Sequence, residues 1–220
     1  MTKEPSALVF VVDDDEAVRS STKLLLKSVG LAAVSYASAQ EFLQHYDPQQ
    51  PGCVVLDVRM PGMSGLELQQ LLNLRGATLP VIFITGHGDI PMAVEAMQHG
   101  AFDFLQKPFR DQDLLDRVQR ALQKDRATRA QLREKARIRE RRASLTPRER
   151  EILELMTRGK PNKVMAADLG VSQRTVEIHR ARVMDKMGAS SLAQLVRMVM
   201  ELDEPDPAQP APPDSSYTAR

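Results

Sequence analysis

Short apolar runs alternate with amphipathic segments along residues 1–123, and no other feature constrains the fold as strongly. The runs are continuous rather than interrupted by polar residues, which indicates strands buried on both faces. Five strands are predicted at residues 8–12, 32–36, 53–56, 81–84 and 102–105, and five helices at 15–29, 38–46, 65–74, 90–99 and 112–122. This order predicts an α/β fold with a doubly wound five-stranded parallel sheet.

The remainder of the chain differs in composition, although its overall net charge of +1 points to no particular partner. Residues 124–142 carry nine basic and three acidic side chains and no proline or glycine. We predict that residues 125–143 form a charged, solvated helical linker; direct contact with DNA phosphates is the less favoured alternative. Residues 203–220 contain five prolines, which is typical of a disordered tail. The linker and the tail leave two predicted domains, the first at residues 5–124 and an all-helical second domain at residues 144–202.

Cys53 is the single cysteine, which excludes an intramolecular disulfide and a metal cluster built on thiolates. It begins an apolar run, so we predict a buried thiol rather than a reactive one. No apolar stretch approaches the roughly 20 residues that cross a bilayer. Residues 1–7 lead directly into the first strand without the pattern of a signal peptide. We therefore expect a cytoplasmic protein with no membrane partner.

Charged and hydroxyl side chains follow four of the predicted strands, where functional residues of parallel sheets collect. They are Asp13, Asp14 and Asp15 after the first strand, Asp57 after the third, Thr85 after the fourth and Lys107 after the fifth. Clustered carboxylates repel one another, and oxygen ligands suit Mg²⁺, which would offset that repulsion. Asp57 would then attack a phosphoryl group, with Lys107 and Thr85 contacting its oxygens. Asp15 also fits the simpler role of a helix cap.

These motifs resemble the receiver domain of two-component response regulators. The likeness rests on Val12-Asp13-Asp14, the DVRMPGMSG segment from Asp57 to Gly65, Thr85-Gly86 and Lys107-Pro108. It implies a flavodoxin-like fold in which Asp57 is phosphorylated. It also implies that Asp13, Asp14, Asp57 and the backbone carbonyl of Arg59 bind Mg²⁺ or Mn²⁺.

The same resemblance implies roles for residues on the fourth and fifth strands. Thr85 would be the switch hydroxyl, Lys107 the phosphate-contacting lysine, and Pro108 would follow a cis peptide bond. Phe104 would be the aromatic ring that rotates on activation; an ordinary core aromatic is the alternative.

Residues 162–182 predict a helix-turn-helix. Ala166 lets two helices approach closely, Gly170 supplies the positive backbone angle of the turn, and Ser172 caps the following helix. The predicted core residues of this motif are Val164, Met165, Leu169, Val171, Val176 and Val183. The flanking helices are predicted to begin at Thr146-Pro147, with an end at Gly159, and to cover residues 191–202. A generic amphipathic helix pair would show similar spacing.

The second helix of this motif would lie in the major groove of DNA. One of its faces carries the candidates for base contacts, which are Arg174, Glu177, Ile178 and Ala181. Candidates for phosphate contacts are Lys163, Arg180 and Arg182, which add affinity but little sequence information. His179 is interpreted as a partly buried packing residue.

The second domain resembles the LuxR-type output domain of the NarL/FixJ regulators. The likeness rests on residues 146–151, Asn162-Lys163, residues 175–180 and Lys186-Met187, and residues 85–89 and 174–177 point to the FixJ branch. It implies four helices, of which the fourth serves dimerisation on DNA.

Together the motifs predict a phosphorylation switch rather than an enzyme. A cognate sensor histidine kinase would phosphorylate Asp57, and the receiver would then form a homodimer and bind promoter DNA, with RNA polymerase as a further partner. Val94 fits a dimer contact and core packing equally well. A phosphorelay module and a constitutive DNA-binding protein with a vestigial receiver are the alternatives. The helix-turn-helix argues against the first, and the complete set of acidic, hydroxyl and lysine residues against the second.

Overall fold

The computed structural model describes residues 6–86 and 90–203, without the side chains of Ile90 and Pro91. The described residues form two compact units that divide between Arg129 and Ala130. The first unit thus extends beyond the predicted limit at residue 124. The motif predicted at residues 85–89 and the predicted tail from residue 203 lie largely outside the described residues.

A five-stranded parallel sheet with the order β2-β1-β3-β4-β5 lies at the centre of the first unit. The strands are β1 Leu8–Val12, β2 Ala32–Tyr36, β3 Gly52–Asp57, β4 Val81–Thr85 and β5 Asp103–Gln106. The helices between and after them are α1 Glu16–Ser28, α2 Ala39–His45, α3 Gly65–Leu74, α4 Ile90–Gln98 and α5 Asp111–Ala143. This confirms the doubly wound α/β prediction. The order reverses between β1 and β3, and the carboxyl ends of strands form a crevice at such a point.

The sheet separates two apolar clusters because successive side chains of a strand point to opposite faces. Every residue of β3 is buried. Val54 and Leu56 belong to one cluster, whereas Cys53 and Val55 belong to the other. Cys53 is fully buried, and burial raises the pKa of its thiol. The prediction of a buried thiol is therefore confirmed.

The helix α5 is the main difference between the predicted and observed elements of the first unit. The predicted helix at residues 112–122 and the predicted linker at 125–143 form one uninterrupted helix, Asp111–Ala143. Alanine, arginine, glutamate and glutamine all favour helix, and the segment has no proline or glycine to end it.

The interpretation of residues 125–143 as solvated surface is wrong at four positions. Asp125, Thr128, Lys135 and Ile138 are buried. In the first unit, Asp125 accepts a hydrogen bond of 2.9 Å from the backbone N–H of Gly52. In the second unit, Ile138 belongs to the apolar core. Charge density alone therefore did not reveal that this segment contributes to both units.

Arg129 ties α5 to the loop before β3. Its Nε donates to the Asp125 carboxylate at 2.9 Å. Its two terminal nitrogens donate to the carbonyls of Pro48, Gln49 and Gln50 at 3.0, 3.2 and 2.9 Å. We call Asp125, Arg129 and these backbone groups the α5 clamp.

The second unit contains the helices α6 Pro147–Thr157, α7 Asn162–Leu169, α8 Gln173–Met187 and α9 Leu192–Asp203. The prediction of an all-helical domain is confirmed. Its core includes Met165, Val176 and Val183, with Leu169 and Val171 packed against it. Val164 is 40% exposed, so its assignment to the core is wrong. On α7 the inward positions belong to Met165 and Ala166, which turns Val164 toward solvent. No helix in the described ranges is long and apolar enough to cross a membrane.

Candidate functional site

Asp13, Asp57 and Lys107 meet at the carboxyl edge of the sheet. Lys107 Nζ lies 2.9 Å from Asp13 Oδ2 and 3.1 Å from Asp57 Oδ1. Asp13 is 4% exposed and Asp57 9% exposed. One ammonium group therefore bridges two mostly buried carboxylates, and this group of three carries a net negative charge.

Burial raises the pKa of Asp57 above its usual value, and the charge of Asp13 acts in the same direction. The hydrogen bond and charge of Lys107, and the N–H of Arg59, oppose that rise but do not cancel it. Burial alone would lower the pKa of Lys107, but its contacts with Asp13 and Asp57 outweigh burial, and its pKa is raised. Lys107 is therefore protonated at neutral pH, and the charged form of Asp57 is stabilised only in part.

The loop after β3 is held in one conformation beside Asp57. The backbone N–H of Arg59 donates to Asp57 Oδ2 at 2.7 Å. Gly65 begins α3, and a Cβ at this position would overlap the carbonyl oxygen of Asp57. Ser64 and Glu67 form a capping box at the same helix start. Gly65 and the capping box thus fix the start of α3 next to Asp57, the candidate phosphoacceptor.

The loop after β1 carries the acidic residues. Asp15 caps α1, since its carboxylate accepts from the N–H groups of Ala17 and Val18. Its own N–H donates to Asp13 Oδ1 at 2.9 Å. Asp14 is exposed. Within the described part of the chain, no group of three or more His, Cys, Asp or Glu side chains is arranged to hold a metal ion. The structure thus joins Asp13 and Asp57 through Lys107 and does not gather Asp14 with them.

Thr85, Phe104 and Pro108 lie on β4, β5 and the segment after β5. Thr85 is 2% exposed, and its carbonyl accepts from the N–H of Lys107 at 2.7 Å. Phe104 is half-buried against the cluster that contains Phe83. The peptide bond between Lys107 and Pro108 is cis. On α4, Val94 is 49% exposed, so the alternative of core packing for this residue is wrong.

In the second unit, α7 and α8 form the two helices of the predicted motif. Gly170 adopts a φ of 64° in the turn, and Ser172 caps α8 through the N–H of Thr175. Of the residues predicted to contact DNA, Arg180 is half-buried. The others are exposed: Lys163, Arg174, Glu177, Ile178, Ala181 and Arg182. His179 is also half-buried. The candidate base-contacting face of α8 is therefore open.

An ion pair that the sequence did not predict ties α8 to α6. Lys186 Nζ, on α8, donates to Glu149 Oε2 at 2.7 Å. The same carboxylate accepts from the N–H of Thr146 at 2.9 Å in the capping box of α6. The hydrogen bond from Lys186, and next that from Thr146, lowers the pKa of Glu149 to about 2. The capping box was visible in the sequence, but its lysine partner was not.

Replacing Glu149 with glutamine should weaken the second unit by roughly 1–3 kcal/mol at neutral pH. The folded pKa of Glu149 lies below the unfolded value of about 4.3, so its contribution is complete above that value and is lost as pH falls toward about 2. Urea unfolding from neutral to acid pH, followed through the NMR signals of α6 and α8, measures both effects. Glu151→Gln, at an exposed ion pair, is the control. Equal acid sensitivity in Glu149→Gln and the wild type would contradict the prediction.

Sequence families match both units. The response regulator receiver domain matches residues 9–119. The family of bacterial regulatory proteins named after LuxR matches residues 143–199. The two matches leave unassigned most of the α5 segment that had been predicted as a linker.

A relative and two solved structures resemble nearly the whole chain. The transcriptional regulatory protein FixJ of Azorhizobium caulinodans is 50% identical over 192 residues, which cover 87% of this chain and 91% of that protein. The low-resolution structure of the response regulator StyR has a TM-score of 0.82 and 45% identity, covering 89% of this chain and 99% of that one. The structure of full-length FixJ from B. japonicum has a TM-score of 0.55 and 40% identity, covering 90% of this chain and 98% of that one.

The matching families and relatives are transcriptional response regulators and not enzymes. The two matched families follow one another along the chain in the order of its two units. The chain therefore belongs to the response regulators that combine a receiver domain with a LuxR-type DNA-binding domain.

Proposed function

We propose that Asp57 accepts a phosphoryl group from a cognate sensor histidine kinase and that this modification controls binding to promoter DNA. Membership in the family implies a sensor kinase and DNA as partners. The observation that supports the specific residue is the contact of Asp57 with Lys107 at the carboxyl edge of the sheet. A carboxylate oxygen of Asp57 attacks phosphorus, the bond from phosphorus to the kinase histidine breaks, and an acyl phosphate forms.

Receiver domains generally bind Mg²⁺ in their acidic pocket. The donor groups here fit such an ion, or Mn²⁺, because Asp13, Asp14, Asp57 and the carbonyl of Arg59 offer only hard oxygen ligands. The raised pKa of Asp57 is a second indication, since it shows that Lys107 does not fully compensate the buried charge. When bound, the ion supplies positive charge that offsets the charge on the phosphoryl oxygens.

Lys107 and Thr85 have separate tasks in this proposal. Lys107 is held protonated between two carboxylates and pairs with a phosphoryl oxygen once Asp57 is modified. The hydroxyl of Thr85 is drawn toward the new charge, and Phe104 turns into the space that is vacated. The exposed Val94 on α4 then contributes to a homodimer contact between receivers.

The second unit binds DNA through α8 in the major groove, in a dimer that places two such helices on half-sites about one helical turn apart. The exposed side chains of Arg174, Glu177, Ile178 and Ala181 face base edges. Lys163, Arg180 and Arg182 neutralise phosphates. RNA polymerase is a further partner at the promoter. Both the DNA and the polymerase lie in the bacterial cytoplasm, so the regulator acts there.

Acetyl phosphate provides the test of this proposal with the full-length protein. Mass spectrometry should find an acid-labile modification at Asp57, and mobility shifts on genomic fragments should strengthen in the same samples. Modification without a change in DNA binding would favour a relay module. DNA binding without modification would favour a constitutive regulator. Either result would overturn the proposal.

Two arginine substitutions on α8 should separate base reading from phosphate binding. Arg174→Ala should weaken binding to the preferred site by about 1–3 kcal/mol, with a smaller effect on random DNA. Arg182→Ala should weaken binding to both and reduce the salt dependence of affinity by about one phosphate contact. Mobility shifts over a range of salt concentrations measure both quantities. An equal loss on specific and random DNA for Arg174→Ala would remove it from the base-reading face.

A further inference from the structure

Arg19, on α1, contacts the backbone of the acidic loop. One of its terminal guanidinium nitrogens donates to the carbonyl of Asp13 at 2.8 Å and to the carbonyl of Asp14 at 2.9 Å. The side chain is half-buried, which limits competition from water. Both bonds go to backbone oxygens, so Arg19 fixes two successive peptide groups without occupying a carboxylate.

Two further polar groups of this loop are fixed by bonds to near neighbours in the chain. The N–H of Asp15 is bound by the carboxylate of Asp13, and the carboxylate of Asp15 is bound by the first turn of α1. The carbonyls of Asp13 and Asp14 take no part in these internal bonds, and Arg19 donates to both. Since a peptide plane sets the direction of the side chains on either side of it, Arg19 controls where the two carboxylates can lie.

We infer that Arg19 is a positioning residue: by fixing the carbonyls of Asp13 and Asp14, it limits how far this loop must rearrange to bring both carboxylates to the divalent ion. This inference rests on the proposed function. Lys107 pairs with the carboxylate of Asp13 and would compete with a cation there. Arg19 instead bonds to the backbone carbonyl of the same residue. Loss of Arg19 should therefore weaken metal binding without removing a ligand. Groups that orient metal ligands in this way typically contribute about 10–100-fold in affinity.

The test measures Mn²⁺ binding to the unphosphorylated full-length protein by water-proton relaxation. Arg19→Ala should raise the Kd by about tenfold or more, and Arg19→Lys, which can donate to the same carbonyls, should recover most of the loss. Lys23→Ala, at an exposed position one turn later on α1, should leave the Kd unchanged. With acetyl phosphate, Arg19→Ala should raise the Mg²⁺ concentration for half-maximal phosphorylation and leave the KM for acetyl phosphate unchanged.

The outcomes separate this inference from the proposed function. If the wild type binds Mn²⁺ and Arg19→Ala binds it equally well, the inference fails while the proposed function stands. If the wild type neither binds Mn²⁺ nor is phosphorylated, the proposed function itself fails. Should Arg19→Ala not fold, Arg19→Met, which keeps the apolar stem but cannot donate to the carbonyls, takes its place. A rise in Kd of about threefold or more then supports the inference, and a smaller change overturns it.

Discussion

An Asp57→Asn protein should show no acid-labile phosphorylation, and acetyl phosphate should not change its affinity for DNA. The amide has nearly the size of the carboxylate but is not a nucleophile, so the acyl phosphate cannot form. The variant should fold, because burial raises the pKa of Asp57 and the charged form therefore costs stability at neutral pH. As pH rises from the ordinary aspartate pKa through the raised folded value, the wild type should lose stability relative to the variant.

Mass spectrometry and mobility shifts on the same samples measure the effect of Asp57→Asn. Asp47→Asn is the matched control, because Asp47 is exposed and its carboxylate accepts a local bond from the N–H of Gln49, at 2.8 Å. The control should be phosphorylated and should bind DNA as the wild type does. An increase in DNA binding by Asp57→Asn as large as that of the wild type would exclude Asp57 as the controlling phosphoacceptor.

Arg129→Ala should destabilise the first unit by roughly 3–5 kcal/mol, through loss of the α5 clamp. The side chain of Asp125 is 2% exposed and that of Arg129 is 12% exposed, so the pair lies largely out of water. Without the guanidinium, the Asp125 carboxylate stays buried with only the N–H of Gly52 as a described partner. The carbonyls of residues 48–50 lose their donor at the same time. An uncompensated buried charge is one of the costliest single defects a fold can carry.

Urea unfolding followed by tyrosine fluorescence measures this effect, because Tyr36 and Tyr46 lie in the first unit and the chain has no tryptophan. Arg126→Ala, at an exposed position on the same helix, is the control and should change stability by less than about 0.5 kcal/mol. A double variant, Asp125→Asn with Arg129→Met, should recover part of the loss because no buried charge remains. Equal stabilities of Arg129→Ala and Arg126→Ala would show that the clamp contributes little.

Much of the candidate site could be predicted because parallel topology brings strand ends together. The carboxyl ends of parallel strands share one edge of the sheet, so Asp13, Asp57 and Lys107 were predicted to collect there, and their side chains do meet. The turn at Gly170 and the cap at Ser172 could also be predicted from the sequence, since each depends on residues within one helical turn.

Other contacts could not be predicted, because no local signal specifies them. Asp125 meets Gly52 across 73 residues of sequence, and Lys186 meets Glu149 across 37. A charged residue in a basic, helical segment has the same sequence signature whether it is solvated or buried. Val164 shows the converse, since its apolar side chain suggested burial and the packing of α7 left it exposed.

The sequence alone therefore specified the strands, the helix caps, the helix-turn-helix and the side chains that follow the strands at the acidic edge of the sheet. These follow from periodicity, backbone preferences and side chains that bond to their near neighbours. Tertiary structure alone decided that Arg129 clamps α5 to the loop before β3 and that Lys186 anchors α8. Such pairings depend on where distant segments dock, and docking is set by the burial of the whole core rather than by any one stretch of sequence.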